Sequence, residues 1–143
     1  MSLAEILFIA GTVLYLLLGT VHIAWTLGDL RSPTRFRPVD ETVLAAMQAE
    51  RVSAFASAPG VRSLWQSWLG FNLSHGLGLL LFGVVPLAIA LQDYDLVDEI
   101  TVIRPLTLVV PLVYLVLAWR FWFVGPAAAT TAGFACFAAS ALT

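Results

Sequence analysis

The chain has 143 residues, the length of one domain, and 60% of them are hydrophobic. Only 11% are charged, and the mean hydropathy of +0.92 lies outside the range of soluble globular domains. The charged residues cluster between long apolar runs, so we expect an integral membrane protein. The net charge of -2 gives no reason to expect a nucleic-acid partner, and the lone Cys136 cannot form an internal disulfide.

The first apolar segment predicts a membrane helix over residues 3–27. No charged residue lies between Glu5 and Asp29, and about 20 apolar residues are enough to cross the hydrocarbon of a bilayer. The segment lacks a basic start and a small-residue cleavage site, so we expect it to stay attached rather than to be removed as a signal peptide. Pro33 and Pro38 then predict a polar loop.

Residues 39–58 have the pattern of a short amphipathic helix. Asp40 is a candidate N-cap, and apolar residues such as Val43 and Met47 repeat at helical spacing before Pro59 ends the pattern. Such a helix is expected to lie at the membrane surface or to fold under the bundle.

Three further apolar segments predict spans at about 63–91, 101–123 and 125–142. Pro86 is expected to kink the first of these, and the small residues of the last favour close helix packing in lipid. The predicted fold class is therefore all-α: a four-helix transmembrane bundle, formed as a single domain by residues 1–143, with a short amphipathic surface helix between helices 1 and 2.

The distribution of arginine predicts the orientation of the bundle. The connection between the first two spans holds five of the seven basic residues, and Arg120 is expected at the same membrane face, whereas only Arg104 lies opposite. Basic residues are enriched on the cytoplasmic side of membrane proteins. We therefore expect the long connection in the cytoplasm and both termini outside, in the inner membrane of a bacterium.

Polar residues form a stripe where the second span begins, in the stretch W-Q-S-W-L-G-F-N-L-S-H-G-L-G. Trp65, Trp68, Asn72 and His75 project within a sector roughly 80° wide on a helix. Polar and ionisable residues are costly inside lipid, so the stripe is a candidate wall of a site.

The first span has a matching stripe that includes His22. Because the two helices run antiparallel, His22 and His75 are expected at similar depth, roughly 6 to 10 Å below the cytoplasmic edge of the hydrocarbon. These two imidazoles are the candidate catalytic or proton-transfer groups. The candidate ligand-binding residues are Tyr15, Asp29, Trp65, Trp68, Asn72 and Arg120.

Several chemistries fit this set of residues. A lipophilic ligand would find aromatic walls and a few polar groups to fix its position or move a proton. His22 and His75 would instead be axial ligands if the bundle held haem b. Two histidines and one distant aspartate are too few ligands for a zinc site. The structural alternative is that the tryptophans anchor the helices at the membrane interface and the polar groups only join helices.

The pattern Gly70-Phe71-Asn72-x-Ser74-His75 resembles that of a group of small, uncharacterised bacterial four-helix membrane proteins, which carry a similar motif at the start of their second helix. The resemblance covers the hairpin of helices 1 and 2. It implies a location, Asn72 and His75, and no particular activity.

The leading hypothesis is a small membrane protein that binds a lipophilic ligand near the cytoplasmic leaflet, and the sequence leaves open whether the protein also acts on that ligand. The alternatives are an accessory subunit of a larger respiratory or photosynthetic membrane complex, and a haem b protein with two histidine ligands. The expected partners are the lipid bilayer, a lipophilic small molecule, and either a larger complex or further copies of this chain.

Overall fold

The computed structural model describes residues 1–52 and 62–143, and the regular secondary structure of this part of the chain is helical apart from one isolated bridge between Arg51 and Ser63. Four of its helices are long and apolar enough to cross a membrane: α1, α3, α5 and α6. The prediction of an all-α fold with four helices that could span a membrane is confirmed. The helices are α1 (Leu3–Asp29), α2 (Glu41–Ala49), α3 (Leu64–Gln92), α4 (Leu96–Glu99), α5 (Ile103–Phe121) and α6 (Val124–Leu142).

The four long helices begin and end within two residues of the predicted spans, whereas the surface helix is shorter than predicted. α2 ends at Ala49 because Glu50 adopts an extended backbone with φ -69° and ψ 140°. The extended chain continues into a short pairing in which the amide of Val52 donates to the carbonyl of Arg62 over 3.1 Å. Residues 53–58 of the predicted helix lie outside the described residues.

The beginning of α2 follows the predicted capping pattern. The carboxylate of Asp40 accepts hydrogen bonds from the hydroxyl and the amide of Thr42. These bonds lower the pKa of Asp40 below its usual value. On its apolar side, α2 places Leu44 in a small cluster with Trp65 and Leu69, so the amphipathic face packs on the start of α3.

The chain divides into two compact units, each described here by itself. The first unit comprises Met1–Gly19 and Gly78–Thr143, and the second comprises Thr20–Leu77. Both α1 and α3 contribute residues to each unit.

The core of the first unit is a cluster of aromatic rings from the four long helices. Tyr15 of α1 makes edge-to-face contacts with Phe82 of α3 and Tyr114 of α5, and Phe137 of α6 packs against the same group. The rings fit because Gly133 of α6 has no side chain: a Cβ there would lie 2.7 Å from Cε2 of Tyr15. The small residues of α6 therefore permit the close packing expected of helices in lipid.

Apolar side chains also point outward from the long helices of this unit. Val109, Val113 and Val116 repeat along one face of α5 and are 50 to 60% exposed. Such a stripe would be unfavourable in water and is suited to contact with lipid chains. The described residues thus have the surface of an integral membrane protein.

Candidate functional site

Two imidazoles meet within the second unit, one from each of two membrane helices. His22 of α1 and His75 of α3 are half-buried, and their ring centroids are 5.0 Å apart at an interplanar angle of 65°. The helices approach closely here because Gly76 follows His75. A Cβ at Gly76 would lie 2.7 Å from Cγ1 of Ile23 and 3.3 Å from Cδ2 of His22. The glycine therefore brings the two rings into contact.

Asn72 joins the two helices through its carboxamide, and only 4% of its surface is exposed. Its Nδ2 donates to the carbonyl of Trp68, one turn earlier on α3, over 2.8 Å. Its Oδ1 lies 3.0 Å from Nε2 of His22. Asn72 is thus anchored to its own helix while it orients the imidazole of the other.

Phe36, in the loop after α1, lies over this group. Its ring is 4.6 Å from the ring of His22 and tilted by 33°. Its backbone carbonyl accepts a hydrogen bond from the indole Nε1 of Trp68 over 2.8 Å. The loop is therefore tied to α3 and covers one side of His22. We call His22, Phe36, Trp68, Asn72 and His75 the imidazole cluster.

Asp29, the last residue of α1, holds the loop in this position. It is 1% exposed, and its carboxylate accepts backbone hydrogen bonds from Thr34, Arg35 and Phe36 at 2.7, 2.9 and 2.7 Å. A carboxylate that accepts several amide hydrogen bonds is stabilised in its charged form and fixes the backbone around it. Asp29 therefore fixes the loop that carries Phe36, and in this way it supports the imidazole cluster.

The sequence predicted Asp29 as a ligand-binding residue. It did not predict that Asp29 holds the loop after α1, and it did not identify Phe36. An aspartate at a helix end followed by a Ser-Pro-Thr loop is a known signal for side-chain-to-backbone bonding. That signal could have identified the support role. It could not have shown that Phe36 lies on His22, because loop residues carry no periodicity.

The remaining predicted site residues have other surroundings. Trp65 is 6% exposed and packs with Leu44 and Leu69 under α2. Tyr15 belongs to the aromatic core of the first unit, where its hydroxyl is enclosed and makes no hydrogen bond with the described residues. Arg120, at the end of α5 in the first unit, lies over the ring of its neighbour Phe121 at 5.1 Å. Within the second unit, the structure brings together His22, Asp29, Trp68, Asn72 and His75.

The imidazole pair does not have the geometry of two axial haem ligands. Axial ligands present one ring nitrogen each to an iron between them, whereas these rings touch edge to face and Nε2 of His22 already faces Asn72. In the described part of the chain, no group of three or more His, Cys, Asp or Glu side chains is placed to hold a metal ion.

A shallow, open groove of about 440 Å³ lies elsewhere on the second unit. It is lined by Ala24, Leu27, Gly28, Leu30 and Arg31. Ala24, Leu27 and Gly28 lie on the side of α1 opposite to the one that carries the imidazole of His22. The groove and the imidazole cluster are therefore separate features.

Comparison of this chain with family models, with curated proteins and with solved structures finds no match.

Proposed function

We propose that this integral membrane protein binds a lipophilic molecule, with the polar group of that molecule at the imidazole cluster. The observation that carries the proposal is the contact between His22 and His75, two half-buried imidazoles on helices that are apolar enough to cross a membrane. Ionisable side chains within membrane helices are costly and usually serve a site or a proton path. Aromatic walls with a few oriented polar groups are typical of small-molecule sites.

The arrangement contains more polar groups than helix association requires. One hydrogen bond between His22 and Asn72 would be enough to join α1 and α3. The second imidazole, His75, lies beside the first, with the ring centroids 5.0 Å apart. A ligand that uses both rings accounts for the pair, and the same imidazoles can accept or release a proton if the bound molecule reacts.

The proposed location is the cytoplasmic leaflet of a bacterial inner membrane. The support is the basic connection after α1, in which Arg31, Arg35 and Arg37 follow within eight residues of the helix end. Basic residues beside a span favour the cytoplasmic side. Both termini would then face outward.

The test is the set of lipophilic molecules that copurify with the protein. We would extract them from the wild type, His22→Ala, His75→Ala and Ser74→Ala, and identify them by mass spectrometry. Ser74 is the matched control because, within the described residues, its hydroxyl donates only to the carbonyl of Phe71 in its own helix. We expect a molecule that is retained by the wild type and by Ser74→Ala and lost from both histidine variants. Identical profiles in all four proteins would overturn the proposal.

The accessory-subunit hypothesis stays a prediction with its own readout. If it holds, the chain elutes from a size-exclusion column only together with other polypeptides, and His75→Leu leaves that assembly intact. If the chain elutes alone and carries its molecule, the ligand-binding proposal is favoured instead.

A further inference from the structure

The hydrogen bonds around Asn72 decide which nitrogen of His22 carries the hydrogen. The backbone carbonyl of Trp68 can only accept, so the carboxamide nitrogen of Asn72 faces it and the carboxamide oxygen faces His22. That oxygen also can only accept, so Nε2 of His22 must donate. In a neutral imidazole with hydrogen on Nε2, the other nitrogen, Nδ1, has a lone pair and acts as an acceptor.

This acceptor is not used by the described part of the protein. Nδ1 of His22 makes no hydrogen bond with residues 1–52 or 62–143, and it is not among the enclosed polar atoms of that part of the chain. Around the ring lie other aromatic rings, those of Phe36 at 4.6 Å and His75 at 5.0 Å. Nδ1 is therefore within reach of a ligand, and a nitrogen lone pair beside apolar rings in a membrane helix is stabilised by a hydrogen-bond donor. The site therefore favours a ligand that supplies a donor.

We infer, on the basis of the proposed function, that the bound molecule carries a hydroxyl group that donates a hydrogen bond to Nδ1 of His22. The ligand class is then a lipophilic alcohol or phenol. A ketone, an ester or an ether offers only acceptor oxygens, and such an oxygen would face the lone pair of Nδ1. The oriented imidazole thus selects against acceptor-only ligands, because neither Nδ1 nor the ligand oxygen would then have a hydrogen-bond donor.

The test compares two probes, farnesol and farnesyl methyl ether, which differ in that a methyl group replaces the hydroxyl hydrogen. Binding is measured by titration calorimetry on the full chain in lipid nanodiscs. We expect farnesol to bind about two- to tenfold more tightly, which is the range expected for one neutral hydrogen bond. In ¹⁵N spectra of labelled histidine, farnesol should shift Nδ1 of His22, and the ether should leave it unchanged.

Asn72→Leu provides the decisive variant because it removes the acceptor that fixes the hydrogen on Nε2 while keeping a side chain of similar size. In this variant the preference for the alcohol should fall below about twofold. Ser74→Ala, two residues away on α3, should retain the full preference. Thermal unfolding of both variants in the same nanodiscs shows whether the helices still pack.

The outcomes separate this inference from the proposed function. If both probes bind equally to the wild type and neither binds to His22→Ala, the site exists but the hydroxyl inference is overturned. Tighter binding of the ether would also overturn it, since the hydroxyl hydrogen would then contribute nothing to the affinity. If neither probe binds the wild type, or if the probes bind His22→Ala as tightly as the wild type, the proposed function fails and this inference fails with it.

Discussion

At the scale of single residues, Asp29 shows how one side chain organises the imidazole cluster without belonging to it. Its carboxylate gathers three backbone amides of the loop after α1, and the third of these amides belongs to Phe36. Phe36 in turn contacts His22 through its ring and Trp68 through its carbonyl. The loop and the two helices are therefore coupled through one buried carboxylate.

Replacing Asp29 by alanine should loosen this loop. The three amides would lose a charged acceptor in a partly buried place, and we expect a loss of about 2 to 4 kcal/mol in the free energy of unfolding. Trp68 would also lose a fixed partner for its indole, so its fluorescence emission should change. Asp40→Ala is the matched control: Asp40 is exposed, and removing such a cap costs about 1 kcal/mol. Equal losses for the two variants would contradict the role given to Asp29.

At the scale of helices, glycine positions decide where α1 and α3 approach each other. The glycines near the start of α3 share a sequence pattern, but a Cβ at Gly76 would collide with Ile23, whereas a Cβ at Gly70 would meet nothing within 4 Å. Gly83 resembles Gly76, since its Cβ would lie 2.8 Å from the amide nitrogen of Leu16. The sequence alone does not distinguish these glycines, and only the packed helices show at which of them a side chain would collide.

The pair Gly76→Ala and Gly70→Ala tests this difference within one helix. An added methyl group at Gly76 should push α1 away and destabilise the protein by about 1 to 3 kcal/mol. The same change at Gly70 should be neutral or stabilise α3 by up to about 1 kcal/mol, because alanine has the higher helix propensity. Unfolding of both variants in detergent provides the measurement, and a destabilised Gly70→Ala with an unaffected Gly76→Ala would refute the packing.

A second connection between helices lies in the first unit, around Arg104 at the start of α5. Its guanidinium donates to both carboxylate oxygens of Asp98 in α4, at 2.6 and 3.1 Å, to the hydroxyl of Tyr94 at 2.8 Å and to Ser140 of α6 at 3.0 Å. The hydrogen bonds from Arg104 lower the pKa of Asp98 below its ordinary value of 3.8. The charged form of Asp98 thus stabilises the folded state.

The pH dependence of stability follows from the sign of this shift. The contribution of Asp98 is fully present above the ordinary aspartate pKa and is lost as the pH falls from about 4 through the lower value of the folded state. Because Asp98 is largely exposed, we expect a contribution of no more than about 1 kcal/mol. Asp98→Asn should remove this part of the acid sensitivity in thermal unfolding between about pH 5 and pH 2.

The control for this measurement is Asp95→Asn. Within the described residues the carboxylate of Asp95 makes no hydrogen bond or ion pair. Its replacement should leave the acid profile as it is in the wild type. An unchanged profile for Asp98→Asn would show that the Arg104 contact does not contribute to stability.

At the scale of the whole molecule, hydropathy was enough to predict the four long apolar helices within two residues of their observed ends, because lipid excludes charge from long apolar runs. The antiparallel order of α1 and α3 then brought His22 and His75 to similar depth. The sequence did not predict that Phe36 covers one side of His22, and it did not predict the short helix α4 within the acidic connection. Those features depend on loop hydrogen bonds, which leave no repeat in the sequence.

The predicted orientation is tested by cysteine labelling. In a Cys136→Ala background, Ser32→Cys places a thiol at an exposed position after α1, and Gln92→Cys places one at the end of α3. We expect a membrane-impermeant maleimide added outside intact cells to label position 92 and not position 32. Labelling of position 32 alone would reverse the orientation.

The most direct measurement of the central claim is an experimental density map of the protein in lipid nanodiscs prepared from its own membrane. The account predicts elongated density from a molecule other than protein, with its polar end within hydrogen-bonding distance of Nδ1 of His22. A map in which that nitrogen faces protein atoms alone, with the rings of His22 and His75 packed and nothing beside them, would contradict it.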